Sequence, residues 1–217
     1  MSSDVFVYLD TVQFSKNGFQ NRNQIKSQKN ASWLTIPVQH HFGQSILDTK
    51  IADPKVVGRH LKTLAGGYTH TPGYDQWKDE IQALIGAQTD SLCDIAIAST
   101  EWILEKLGVK TRRLRASEIP NLEGTNSALI AAICESLDAT SYLTGNGAIA
   151  YLERDHFSKV KCDVWVQQWN SFEYQQAHPE TGFISDLSTL DLLLNCPDTA
   201  FELIQSAGDW QLMWDTI

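Results

Sequence analysis

The chain has 217 residues, 42% apolar and 20% charged, with a formal charge of -9 at neutral pH. That composition excludes a disordered chain and is long enough to bury a substantial core. The acidic balance excludes broad nucleic-acid binding and a polybasic membrane surface, because both need cations in excess.

Cys93, Cys134, Cys162 and Cys196 are dispersed, with no CxxC or Cys/His cluster of metal-ligand spacing. A reduced chain with no metal site and no cofactor is the expectation. No apolar run reaches the length of a membrane span, and "MSSDVFVYLD" has neither a basic leader nor the long apolar stretch of a signal peptide. A cytoplasmic protein without membrane insertion is expected.

In chain order, "DVFVYLD" and "WLTIPV" are β-branched and aromatic runs of strand length. The segment between them is longer than a hairpin turn needs and is rich in Asn, Gln, Lys and Arg, so it predicts a functional loop. "DPKVVGRHLKTLAGGY" predicts a helix capped by Asp53, with Pro54 in its first turn and a stop at Gly66-Gly67. "YDQWKDEIQALIG" and "TDSLCDIAIASTEWILEKLG" predict two more. From "KTRRLRAS" onward strands and helices alternate: helix "TNSALIAAICESLD", strand "TSYLT", helix "NGAIAYLERDHF", strand "KCDVWVQQW". The tail "SDLSTLDLLLNCPDTAFELIQSAG" predicts two helices broken at Pro197, with Ser185 or Asp186 as the first cap. The expected fold is a single α/β domain over residues 1–217. It has a mostly parallel sheet with flanking helices, a helical insertion at about 53–108 and a helical C-terminus.

In an open α/β sheet, ligands gather beyond the carboxyl ends of strands, and Asp10 stands at such an end. Behind it, Gln13, Asn21 and Asn23 offer amides for hydroxyl groups, while Arg22 and Lys26 offer cations for phosphate or carboxylate. A solvated loop whose amides bond their own backbone has the same composition. Gly145, Asn146 and Gly147 form a strand-to-helix turn where glycine permits close approach of a ligand, and an empty tight turn reads alike. His60 titrates near neutrality and can serve as an acid or base, as Asp10 can serve as base. Asp191 and Asn195 share a helix face one turn apart, and a carboxylate in so apolar a helix needs a partner or a substrate hydroxyl.

The blocks "VFVYLDTVQFSKNGFQNRNQIK", "WLTIPV", "HLKTLAGGY", "SYLTGNGAIAYL" and "FISDLSTLDLLLN" resemble, in order and spacing, the WbqC-like family. The most specific are the D-x-x-Q-F...N-R-N-x-I-K pattern and the final S-x-L-D-L-L-x-N. The family's usual opening, a strand and a Q-P-x-Y-L-P loop ahead of the strand matching "DVFVYLD", is not represented. The expectation is therefore of a start at an internal Met or of a truncated chain, with an exposed sheet edge. The resemblance implies bacterial O-antigen or other surface-polysaccharide biosynthesis and leaves the reaction open.

Three readings follow. One is a transferase carrying an acyl or aminoacyl group to a nucleotide-linked or lipid-linked sugar. Another is a noncatalytic glycan or sugar-nucleotide binder or scaffold, and the third is a nucleotidyltransferase using Mg²⁺. In the first, Asp10 or His60 is the base, Arg22 and Lys26 hold the anionic group, and the amides orient hydroxyls.

Overall fold

The computed structural model describes residues 2–86 and 89–214. In chain order the elements are β1 (Val5–Tyr8), β2 (Arg22–Lys26), β3 (Ala31–Thr35), β4 (Val38–Gln39), β5 (Lys50–Ile51), α1 (Val56–Tyr68), α2 (Pro72–Ile85) and α3 (Leu92–Lys106). There follow β6 (Arg112–Arg115), α4 (Asn126–Ser136), β7 (Ser141–Thr144), α5 (Arg154–Lys159), β8 (Asp163–Trp169), α6 (Thr189–Asn195), α7 (Ala200–Ala207) and β9 (Gly208–Leu212). This is the mixed α/β class that the alternating pattern predicts, with its strands gathered into small sheets. The chain divides into two compact units, one of Met1–Asp10, Thr111–Asn170 and Ile204–Ile217, the other of Thr11–Lys110 and Ser171–Leu203.

The first unit holds the parallel pairings. β1 runs parallel to β6, with Val5 opposite Arg112, and β7 parallel to β8. β9, unforeseen in the sequence, closes the far side of β8 in antiparallel register. Its core is Ile130, Cys134, Ala148, Leu152, Phe157, Cys162 and Val164. Tyr142 stacks on Phe157 with ring centroids 5.7 Å apart.

The stretch "NGAIAYLERDHF" is not one helix: a 3-10 turn over Asn146–Tyr151 gives way to α5. Buried Ser127 of α4 explains the break. Its hydroxyl donates to the Tyr151 carbonyl at 3.1 Å and accepts from the Glu153 N–H at 3.0 Å, taking both backbone groups from any helical ladder.

The second unit contains the helical insertion as α1, α2 and α3. Trp77 and Trp102 meet edge to face at 5.7 Å, and the Trp102 indole donates to Glu80 at 3.0 Å. Lys106 pairs with the same Glu80 at 2.6 Å, joining α3 to α2. The first cap differs from expectation, because Asp53 accepts from the Lys55 N–H at 2.9 Å in the turn before α1. α2 lies hard against α6: a Cβ on Gly73 would stand 2.3 Å from the Leu193 carbonyl oxygen, so only glycine fits. The caps of α6 move likewise, since Ser188, not Ser185 or Asp186, accepts from the Leu190 N–H.

The latter part of the expected amide-rich loop is strand. β2 pairs antiparallel with β3, Arg22 opposite Thr35 and Gln24 opposite Trp33. The turn closes through Ser27, whose N–H and hydroxyl both donate to the Asn30 carbonyl.

Candidate functional site

The β2–β3 hairpin sets most of the sequence-predicted residues in one unit. At its open end the Asn21 amide donates to the Ile36 carbonyl at 2.8 Å, and Arg22 donates to the Asn17 carbonyl. The Arg22 guanidinium also lies over the Trp33 ring, 4.2 Å from its centroid, which holds the cation in one place. Phe19 sits beside Trp33, with ring centroids 6.0 Å apart. Asn23 is exposed, its side-chain oxygen accepting from the Gln24 N–H.

His60 of α1 reaches the same strand end, because its Nε2 lies 3.1 Å from the Thr35 carbonyl. A carbonyl only accepts, so Nε2 carries the proton and Nδ1 is left with the lone pair. Burial pushes the imidazole below its ordinary value, aided by the nearby Arg59 charge and opposed by the Thr35 bond. The ring is therefore neutral at pH 7, in the tautomer a base requires. Thr35 thus has Arg22 across the hairpin and His60 on its carbonyl.

Farther along the same strand, Lys26 is wholly buried and donates its ammonium to the Gly182 carbonyl at 2.7 Å. Beside it the carboxylate of Asp191, also wholly buried, collects donors. Tyr68 bonds one oxygen, and Tyr174 the other at 2.6 Å. The Lys26 N–H and the Gln176 amide reach the two oxygens at 3.3 Å each. Burial and the Asp191 charge drive both phenols far above the usual tyrosine value, so they remain donors. Asn195 donates to the Asp191 carbonyl at 2.8 Å and accepts from the Ala177 N–H at 2.6 Å. Thus N-R-N-x-I-K, H-L-K-T-L-A-G-G-Y and S-x-L-D-L-L-x-N meet inside the second unit. The residues that sequence reasoning missed here are Tyr174 and Gln176, which lie in an irregular stretch with no periodic signal.

The other candidates lie elsewhere. Asp10, in the first unit, is 2% exposed and engaged by Ser117, whose N–H and hydroxyl donate to its two oxygens at 2.9 and 2.6 Å. It anchors the 3-10 turn Ala116–Glu118. Gly145, Asn146 and Gly147 are exposed in the same unit, with open space before each glycine and an ordinary extended backbone at Gly145. Gln13 is exposed in the second unit and bridges to Ser45. Among the described residues no group of three His, Cys, Asp or Glu side chains is placed to hold a metal ion, and no helix is long and apolar enough to cross a membrane.

Fold and site define an α/β protein whose most specific sequence blocks converge on a cation-bearing hairpin and a buried carboxylate. The chain belongs to the WbqC-like protein family, whose model matches residues 1–202. Membership suggests a role in polysaccharide biosynthesis. It is also similar to the uncharacterized protein Rv1507c of Mycobacterium tuberculosis, 28% identical over 196 residues, which is 88% of this chain and 84% of the relative. No solved structure matches.

Proposed function

We propose that the protein is a cytoplasmic transferase of surface-polysaccharide biosynthesis that moves an acyl or aminoacyl group to a nucleotide-linked or lipid-linked sugar. The observation that carries this reading is the pair flanking Thr35: a fixed cation, Arg22, and a neutral histidine, His60, with Nδ1 as its basic nitrogen. Arg22 takes the carboxylate or phosphate of the sugar substrate. His60 takes the proton of the amine or hydroxyl as that group bonds to the acyl carbon, and the donor's leaving group departs with the bonding electrons. Asn21, Asn23 and Gln13 orient hydroxyls. Asp10, with both oxygens on Ser117, is assigned support of the strand end, leaving His60 as base. Lys26, Asp191 and Asn195 stiffen the hairpin from behind. Gly145, Asn146 and Gly147 carry no step.

The test is a thermal-shift screen against nucleotide sugars, acyl-CoA species and nucleoside triphosphates with Mg²⁺, followed by a transfer assay with whatever stabilises. A nucleotide sugar and an acyl donor should each raise the melting temperature. Arg22→Ala should lose the first shift with its own melting temperature little changed. Stabilisation by a triphosphate with Mg²⁺ alone would replace acyl transfer by nucleotidyl transfer.

A further inference from the structure

The open end of the hairpin carries two large rings in water. Phe19 is 73% exposed and Trp33 43% exposed, and the rings are inclined 40° to one another. At the same place two polar atoms are shut away from solvent without a hydrogen-bond partner, Asn21 Oδ1 and Arg22 Nε. An orphan of that kind is destabilising, and native structures keep few. Both side chains as wholes are only half-buried, so each orphan lies close to the solvent-facing surface of the hairpin. Exposed rings, an unmet acceptor and an unmet cationic donor thus stand together on the β2–β3 hairpin and the residues that lead into it.

We propose that Phe19, Trp33, Arg22 and Asn21 form a binding platform for a pyranose ring that carries an anionic group. The C–H face of the sugar lies on the aromatic surface. The Arg22 fork keeps donors beyond the one spent on Asn17 and takes the carboxylate or phosphate. Asn21 commits its amide N–H to Ile36, so its oxygen accepts from a neighbouring hydroxyl. Stacking on Trp33 and the bond to Asn17 fix the guanidinium before the ligand arrives, which lowers the entropic cost of binding. This inference rests on the transferase reading only in sharing Arg22 as the anion-binding group; it requires no turnover.

The experiment is saturation-transfer NMR and calorimetry on the full chain with glucuronic acid, glucose 1-phosphate, glucose and uridine monophosphate. Saturation of the ring protons of the two anionic sugars, with glucose at least about tenfold weaker, is expected, since losing a charged hydrogen bond is worth about 1.5–3 kcal/mol. Carboxylate or phosphate preference is read by comparing the first two probes. Phe19→Ala and Trp33→Phe should each weaken binding severalfold, while Phe42→Ala, an exposed ring on the other hairpin, should not. Because Phe19 is mostly in solvent, its variant keeps the fold, and a melting curve checks this. Equal binding by Phe19→Ala and Trp33→Phe, saturation of uracil protons alone, or no binding of either anionic sugar overturns the inference. Binding that depends on both rings, without turnover on any donor, supports the platform and removes the transferase reading.

Discussion

Tyr68 and Asp191, 123 residues apart in sequence, share a hydrogen bond in a place that water does not reach. Tyr68 ends α1 and Asp191 sits in the first turn of α6, so the bond ties two helices to the β2 backbone between them. Removing the phenol strands part of a buried carboxylate. Tyr68→Phe should therefore lower the unfolding free energy by about 1–3 kcal/mol, read from the urea midpoint. An unchanged midpoint would mean that Asp191 is satisfied without it.

The same pair sets an alkaline limit. The Tyr68 and Tyr174 phenols are held above their unfolded value of 10.0, so in base the folded state keeps protons that the unfolded state gives up. Their stabilisation is complete below pH 10 and is lost as pH rises from there towards the folded values. Melting temperature should fall more steeply above pH 10 in the parent than in the Tyr68→Phe, Tyr174→Phe double variant. Parallel curves would refute the linkage.

At acid pH the sign reverses and the group is His60. Its imidazole is depressed below 6.5, so the unfolded chain binds the proton first. The contribution of neutral His60 is whole above pH 6.5 and fades as pH falls through the folded value. Compared with His60→Gln, the parent should lose melting temperature faster as pH falls below 6.5. Identical slopes would show that the ring titrates as it does in the unfolded chain.

Lys26 separates a structural from a ligand-binding ammonium. Held by the Gly182 carbonyl in full burial, it bears a desolvation cost that a hydrophobic side chain of similar length does not. Lys26→Met should leave stability within about 1 kcal/mol of the parent or raise it, whereas Lys26→Ala leaves a cavity and should cost about 2–4 kcal/mol. Chemical denaturation distinguishes them. Lost ligand binding in a stable Lys26→Met protein would make this ammonium part of the binding site.

Two adjacent glycines of α1 give opposite expectations. Gly66 is open to solvent with nothing near its absent Cβ, but at Gly67 that atom would stand 2.8 Å from the Lys26 carbonyl oxygen. Gly66→Ala should stabilise by about 0.5–1 kcal/mol through helix propensity. Gly67→Ala should destabilise by about 1–3 kcal/mol, since backbone must move. Melting curves of the two single variants decide it.

Periodicity made the helices legible: Val56–Tyr68, Pro72–Ile85 and Leu92–Lys106 each bury an apolar stripe. It failed where tertiary bonds override local preference, as at Ser127, which interrupts the 3-10 turn and α5. The hairpin was hidden for a different reason. Asn21 to Gln24 are polar, and only Ile25 advertises a buried strand. Of the site, Arg22, His60 and Asp191 stood out by chemistry. Phe19, Tyr174 and Gln176 did not, because an exposed ring and an irregular stretch have no spacing to read.

Gln176 also accepts from the Ile184 N–H at 3.0 Å and donates to the Ile184 carbonyl at 2.8 Å. Its amide thereby stands in for a peptide unit and closes residues 176–184 into a ring. A ring fixed by both of its donor and acceptor contacts has a set circumference. Evolution is then freer to rewrite the side chains inside it than to lengthen or shorten it.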